Sequence, residues 1–328
     1  MGRRLFAMPL YLFTNMEVTM KCVFTMFFFL LIAFGCSENE VNNPLEDDRQ
    51  PFVIHPLEYS KNHFVLDKVY LDTKLNIYQN YFGNYIPYVS HSYYIVKKIE
   101  LWKTTRGNSG PEERRGFIDG HQVRIIPLIE GKDFLFNKYV GMVSLINPLE
   151  SSQYLAAAYK IEGESISDND DIQFGTFKTE SSYEISSLTA LSSPNYSTGL
   201  QLKNIYSIGN KNISSKDFTF DIYFILEANK PKNNYQNIRL LKAFGFDFND
   251  DGIFDFEDGK TILSQTGEII FPSIEPFGDN LPEILFKRQG DTLVSPYQVK
   301  SIYTNSPIYA ERDSNASKYY FYGKYYTK

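Results

Sequence analysis

The sequence predicts a mainly β fold of antiparallel, sandwich-like sheets with few short helices, arranged in one or two domains. The chain of 328 residues contains 25 Tyr and 27 Phe, and aromatic residues are enriched in strands. Several segments alternate apolar and polar residues, which is the period of a half-buried strand. Gly and Pro gather between these segments and are rare inside them, as expected for strands joined by turns.

Four segments alternate most clearly, and each is predicted to be a strand. They are residues 68–78, 94–104, 217–224 and 319–326. In the first segment, four apolar side chains would share the buried face, namely Val69, Leu71, Leu75 and Ile77. Helical periodicity is weak, so only short helices are expected. One could open at residues 155–159 on propensity, and another is predicted near residues 298–304.

An apolar, uncharged run at residues 23–35 follows Lys21 and ends at Cys36. It is shorter than the roughly 20 residues that cross a bilayer as a helix. It therefore predicts a signal peptide over residues 1–35, with Met20 as a candidate true start. The run ends Ile-Ala-Phe-Gly-Cys, which resembles a bacterial lipobox and predicts lipidation of Cys36. The alternative is an ordinary signal peptide followed by an incidental Cys.

The residues that follow predict a solvated tether. Residues 36–52 are polar and acidic and hold few large apolar side chains, so they cannot build a core. An acidic cluster after a lipidated Cys resembles the signal that carries lipoproteins of Bacteroidetes-type bacteria to the outer face of the outer membrane. We expect an outer membrane lipoprotein at the cell surface, with the periplasmic face as the alternative.

The net charge of the chain argues against one class of binding partner, nucleic acids. Loss of residues 1–35, which carry a net +2, would take the net charge from −6 to −8. An acidic chain is a poor nucleic-acid binder, because that binding needs a basic surface. After the tether, two β domains are predicted at 53–180 and 181–328, with a boundary in the Ser/Thr-rich stretch 179–199. A single continuous domain is the alternative.

Several further segments occur in the order of one known family. They are residues 96–106, 141–149, 154–159, 174–177, 202–209, 251–259, 267–278 and 320–326. The most specific run is Ile-Ile-Phe-Pro-Ser-Ile-Glu-Pro-Phe-Gly at 269–278. Together they resemble the N-terminal-type domain of the SprA/Sov family, the translocon of type IX secretion and gliding motility. The positions that carry the likeness are Glu100, Trp102, Gly252, Phe254, Asp255, Phe256, Phe271, Pro272, Glu275, Pro276, Phe277 and Gly278.

The resemblance implies a role beside that machinery, while the chain leaves no residues for a large translocation pore. We therefore expect a non-enzymatic binding or scaffold protein, anchored in the outer membrane by its lipid, with secretion or motility proteins as partners. No set of catalytic residues is predicted, because the four His are scattered without a nucleophile or a metal-ligand spacing. The alternative function is a surface glycan-binding lipoprotein of a polysaccharide-uptake system, suggested by the acidic export signal and the many aromatic residues.

One acidic loop has the spacing of a calcium site. Its candidate ligands are Asp247, Asn249, Asp251, the Ile253 carbonyl, Asp255 and Asp258. Oxygen ligands at these intervals, with Gly252 at the turn, suit a cation that takes six to eight oxygens. The ion would be structural, and no other cofactor is required. The alternative is an acidic turn between two strands, which the family resemblance favours.

Overall fold

The computed structural model describes residues 47–72, 74–83, 94–107, 110–163, 170–179, 183–225, 230–289, 292–303 and 314–328. The predicted signal peptide, Cys36 and the tether up to residue 46 lie outside these ranges. Within Arg49–Lys328 the chain forms one compact unit. Among the described residues, no helix has the length and the apolar character that a membrane span requires.

The fold is mainly β, as predicted. Its strands are β1 (Gln50–Ile54), β2 (His63–Val65), β3 (Val96–Thr104), β4 (Arg114–Ile118), β5 (His121–Leu128), β6 (Phe134–Asn137), β7 (Met142–Leu145), β8 (Leu155–Ile161), β9 (Ile172–Phe174), β10 (Glu184–Ser192), β11 (Ile205–Ser207), β12 (Thr219–Ile225), β13 (Pro231–Lys232), β14 (Asn234–Tyr235), β15 (Ile238–Arg239), β16 (Ile262–Leu263), β17 (Glu268–Ile270), β18 (Lys287–Gln289), β19 (Thr292–Val294) and β20 (Tyr319–Tyr325). Short α-helices span Ile77–Gly83 and Leu240–Ala243, and 3₁₀ helices span Lys68–Leu71, Glu283–Leu285, Lys300–Ile302 and Ala316–Lys318.

The largest sheet closes on itself. Its strand order is β10–β4–β5–β3–β8–β9, and β10 pairs with β8 as well as with β4. Five strands, β8, β3, β5, β4 and β10, therefore form a closed sheet, with β9 added outside β8. The pairings in it are antiparallel, except that β10 runs parallel to β4.

The interior of the closed sheet pairs large side chains with small ones. Trp102 on β3 is buried directly opposite Ala156 on β8. Gly116 on β4 leaves room for Ile125 on β5, because a Cβ atom at position 116 would lie 2.4 Å from the Ile125 Cδ1. This alternation of sizes is how small closed sheets fill their centres. The interior is therefore a packed core.

The outer face of the closed sheet forms a second core with the three-stranded sheet β2–β7–β6. Leu101 and Tyr159 on the closed sheet pack in one cluster with Val143 on β7 and with side chains of the helix Ile77–Gly83. The same cluster receives later residues, namely Leu191, Leu200, Leu202, Ile205, Leu263 and Ile270. Residues on both sides of position 180 thus share this core.

A third core, the aromatic core, lies between the four-stranded sheet β1–β20–β12–β13 and the three-stranded sheet β11–β17–β16. Burial alternates along β20, where Tyr319, Phe321, Gly323 and Tyr325 are buried. The strands predicted at 94–104, 217–224 and 319–326 are confirmed as β3, β12 and β20. The short helix predicted near 298–304 is the 3₁₀ helix Lys300–Ile302.

The strand predicted at residues 68–78 is wrong. The chain instead forms a 3₁₀ helix at Lys68–Leu71 and then enters the α-helix Ile77–Gly83. The Asp67 carboxylate accepts the Val69 N–H at 2.9 Å, and the Asp72 carboxylate accepts the Lys74 N–H at 2.7 Å. Such local Asx bonds satisfy the backbone in a turn and compete with a strand ladder. The buried side chain is Tyr70, which the alternation had assigned to the polar face.

The helix considered at residues 155–159 is also wrong. These residues open β8, which pairs with β3 along one edge and with β9 and β10 along the other. Its alanines are small enough to face Trp102 inside the closed sheet, and this tertiary demand overrides the helical propensity of Ala. At the N-terminus, β1 begins at Gln50, inside the stretch predicted as tether, because Phe52 inserts into the aromatic core.

Candidate functional site

The later motif segments of the family resemblance converge in the aromatic core. Phe271 and Phe277, from the most specific run, have ring centroids 5.5 Å apart. Both contact Phe321 on β20, at 5.2 Å and 5.6 Å, and Tyr206 on β11 lies 5.3 Å from Phe271. Edge-to-face and offset aromatic pairs each add to the free energy of burial. Segments far apart in sequence thus pack into one shared core.

The acidic-loop aromatics join the same core from another side. Phe254 is buried, and its ring centroid lies 5.1 Å from that of Phe220 and 5.5 Å from that of Phe246. Phe256 packs edge-on against Phe218 at 5.2 Å. Phe254 and Phe256 therefore serve packing, which explains why aromatic residues alternate with acids in this motif.

The loop 272–278 is held closely against its neighbours. Pro272 lies over Gly245, where a Cβ atom would approach its Cγ to 2.9 Å. The Phe277 N–H donates to the Tyr303 hydroxyl at 3.2 Å, and a Cβ atom at Gly278 would lie 2.7 Å from the Tyr303 ring. Burial raises the pKa of Tyr303 well above its ordinary value. Pro276 is buried, and the Glu275 carbonyl accepts the Gly278 N–H at 2.9 Å.

Asn204 is a buried residue that sequence reasoning missed. Its Nδ2 donates to the carbonyls of Phe271 and Ser273, at 2.7 Å and 3.0 Å, and lies 3.0 Å from the Tyr78 hydroxyl. The Phe271 N–H in turn donates to the backbone carbonyl of Asn204 at 2.9 Å. This side chain ties the most specific run to β11 and to the helix Ile77–Gly83. The only signal in the sequence was an amide side chain directly before the short apolar pair Ile205 and Tyr206.

The two early motif residues lie elsewhere, on the closed sheet. Trp102 is buried, and its indole N–H has no hydrogen-bond partner. The Glu100 carboxylate accepts the Lys178 N–H at 2.8 Å. Together with Glu130, these residues line a cleft of about 230 Å³. The family-like positions thus fall into two groups, one on the closed sheet and one in the aromatic core.

In the acidic loop, the predicted ligands accept hydrogen bonds from neighbouring backbone and side-chain groups. The Asp247 carboxylate accepts the N–H groups of Asp251 and Gly252, both at 3.0 Å. Asn249 and Asp251 accept the N–H groups two residues further on, at 3.1 Å and 2.7 Å. These are Asx turns, and Gly252 supplies the positive φ of 80° that the loop needs.

The remaining predicted ligands point to other partners. The Asp255 carboxylate accepts the Phe248 N–H, and Asp258 accepts both the N–H and the hydroxyl of Ser264, at 2.8 Å and 2.9 Å. Ile253 is largely exposed. Across the described residues, no group of three or more His, Cys, Asp or Glu side chains is arranged to hold a metal ion. Calcium binding at this loop stays a prediction.

A buried polar network links three strands that the sequence does not place together. The His63 ring nitrogens lie 2.9 Å from the Ser144 hydroxyl and 2.9 Å from the Glu268 carboxylate, and Ser60 donates to the same carboxylate oxygen at 2.8 Å. Burial of Glu268 acts to raise its pKa, but hydrogen bonds from His63, Thr266 and Ser60 hold the pKa below its ordinary value. The network therefore stabilises a carboxylate inside the protein.

The order Ser144–His63–Glu268 resembles a nucleophile, a base and an acid. However, His63 and Ser144 are only 0% and 1% exposed, and Ser144 lies mid-strand, opposite His63, with neighbours on both edges. Because both residues are buried and the three groups join separate strands, we interpret the network as a structural link between β2, β7 and β17. The sequence signal was a polar residue inside each of three short apolar strands.

The chain matches no protein-family model, and no curated protein matches it at a significant level. The case for a function therefore rests on the motif segments and on the contacts described above.

Proposed function

We propose that this chain is a non-enzymatic lipoprotein of the outer membrane that binds or scaffolds components of type IX secretion or gliding motility. It would hold a domain resembling the N-terminal-type domain of the SprA/Sov family on a lipid anchor at Cys36. The anchor and the acidic tether would keep the β body close to the membrane, where that machinery works.

The observation that carries this proposal is the convergence of the motif segments. Residues 202–209, 251–259, 267–278 and 320–326 meet in one aromatic core, with Phe271, Phe277 and Phe321 in mutual ring contact. Their meeting supports the interpretation that the segments resemble one family domain as a unit.

Affinity purification tests the proposal. The full chain with a C-terminal tag is expressed in a bacterium that has type IX secretion, crosslinked in cells, and recovered in mild detergent. We expect secretion or motility proteins to be enriched over a control lipoprotein that carries the same signal peptide and tether on an unrelated domain. Recovery of the same proteins with both baits, or of none with either bait, would contradict the proposal.

A further inference from the structure

One end of the closed sheet carries an open cleft of about 460 Å³, whose lining shares only Tyr154 with the motif segments and no residue with the acidic loop. Five side chains line it, namely Asp119, His121, Tyr154, Asn195 and Tyr196. They include a carboxylate, an imidazole, an amide and two phenols. The volume falls in the range of small-ligand sites, and the mouths of closed sheets are common places for such sites.

Three parts of the closed sheet bring these residues together. Asp119 occupies the two-residue turn between β4 and β5, with φ of 51°, and Gly120 follows with φ of 80°. Positive φ at both turn residues makes the tight hairpin that matches strand twist. His121 opens β5, Tyr154 directly precedes β8, and Asn195 and Tyr196 follow the end of β10. The cleft is thus built on strand ends that the closed sheet fixes.

Hydrogen bonds between the lining residues hold the cleft in shape. The Tyr196 hydroxyl donates to the Asp119 carboxylate, and the Asn195 Nδ2 donates to the Tyr154 hydroxyl at 2.6 Å. Tyr196 nevertheless keeps 47% of its surface exposed. The result is an aromatic ring presented to solvent beside a fixed carboxylate and a fixed amide.

We infer that this cleft binds a neutral saccharide. Sugar hydroxyl groups need acceptors and donors side by side, which a carboxylate and an amide supply, while the apolar face of a sugar ring packs on an aromatic side chain. The Asp119 carboxylate and the net charge of −8 expected for the mature chain disfavour a phosphate or another anion. This site goes beyond the proposed secretion role and does not depend on it.

The test uses the full lipidated chain in detergent micelles. It is screened on an array of neutral and acidic oligosaccharides, and the dissociation constant of the strongest hit is measured by titration calorimetry. We expect neutral oligosaccharides to bind. Tyr196→Ala and Asn195→Ala should each weaken binding about tenfold or more, because each removes a contact that the ligand makes. Tyr196→Phe keeps the ring and should lose less affinity than Tyr196→Ala.

The matched control is Tyr183→Ala, which removes a tyrosine that is 65% exposed and lies outside the cleft. It should leave the dissociation constant unchanged, and circular dichroism and thermal unfolding should show all variants folded. Absence of binding to every glycan on the array would overturn the inference. If Tyr196→Ala and Asn195→Ala weaken binding no more than Tyr183→Ala does, the saccharide does not bind in this cleft and the inference is overturned. Neither result bears on the secretion proposal, which purification of partners tests separately.

Discussion

Glu268 carries a charge that the fold must keep satisfied. The residue is 4% exposed, and hydrogen bonds from His63 and Ser60 to one carboxylate oxygen help to hold its pKa below the ordinary value despite burial. Removing one partner of a buried charge lowers the free energy of unfolding by more than the intact pair contributes to it. The reason is that the remaining partner stays buried without its hydrogen bond. The free energy of unfolding should therefore be sensitive to each member of this network.

The Glu268 network predicts a specific pH dependence. A carboxyl group with a depressed pKa stabilises the fold above its unfolded pKa of about 4.5, and this contribution is lost as the pH falls through the lower folded value. Glu268→Gln should cost about 1–3 kcal/mol at pH 7. Because the variant lacks the titrating group, its stability should fall less than that of the wild type below pH 4.5.

Urea unfolding at pH 7, 5, 4 and 3 measures this difference. Glu184→Gln is the control, because Glu184 is exposed at the start of β10. It should keep the wild-type stability at pH 7. Equal pH dependence in Glu268→Gln and the wild type would show that Glu268 does not titrate as described.

Asp247 gives a second prediction at the level of one residue. Its carboxylate accepts hydrogen bonds from two backbone N–H groups. Asp247→Ala should therefore lower the free energy of unfolding by about 1–2 kcal/mol, as the loss of a helix cap does. Since both bonds are made to the backbone of the chain itself, we expect this cost in a chelator as well as with calcium. Thermal unfolding under both conditions measures it. A chain that unfolds when calcium is removed would contradict this account of the loop.

Single residues also show what sequence reasoning could reach. The acidic loop was recognisable, because its residues are neighbours in the chain and their spacing is informative. His63, Ser144 and Glu268 were not, because they meet only after three strands pair across the fold. The partners of Asn204 were hidden for the same reason.

At the level of the elements, the alternation of apolar and polar residues correctly predicted strands that pair with a neighbouring strand on each side. Strand β20 lies between β1 and β12, and its buried residues follow the predicted period. The same alternation at residues 68–78 predicted a strand, but the chain forms helical turns there, because the carboxylates of Asp67 and Asp72 accept nearby backbone N–H groups. Alternation reports which side chains are apolar, whereas capping decides whether the backbone stays extended.

Gly323 makes a testable contribution to the central strand β20. A Cβ atom there would lie 2.1 Å from the Thr219 carbonyl oxygen and 2.5 Å from the Phe52 ring. Phe52 covers the glycine from the neighbouring strand, so the sheet depends on its lack of a side chain. Gly323→Val should destabilise the fold by about 2–3 kcal/mol through overpacking.

Chemical denaturation compares this variant with Gly107→Val. A Cβ atom at Gly107 meets nothing within 4 Å, so that substitution should change stability by less than about 0.5 kcal/mol. Similar losses in both variants would mean that Phe52 does not pack on Gly323 as described.

At the level of the whole molecule, sheet closure lay beyond what local pattern could predict. The closed sheet depends on β10 pairing with β4 in parallel and with β8 in antiparallel. Both pairings join residues that are well separated in the chain, and no turn signal announces them. The stretch predicted to hold a domain boundary, residues 179–199, contains β10, whose pairings complete the closed sheet.

The proposed role also predicts where the protein is found. Lipidation of Cys36 would hold the chain at the outer membrane, because an acyl chain adds about 0.8 kcal/mol for each buried methylene group. Cys36→Ser should therefore release the β body from the membrane fraction. Fractionation and metabolic labelling with a fatty acid measure this. Labelling and membrane association that survive the substitution would contradict lipidation at Cys36.

We propose that this β protein, held at the membrane by a lipid on Cys36, serves type IX secretion or gliding. The most direct test of this claim is a deletion strain in which the amount of a type IX cargo reaching the cell surface and medium is measured by immunoblot, together with colony spreading. We predict that deletion reduces cargo delivery or spreading, that the wild-type chain restores it, and that Cys36→Ser does not. Unchanged cargo delivery and unchanged spreading in the deletion strain would contradict the claim.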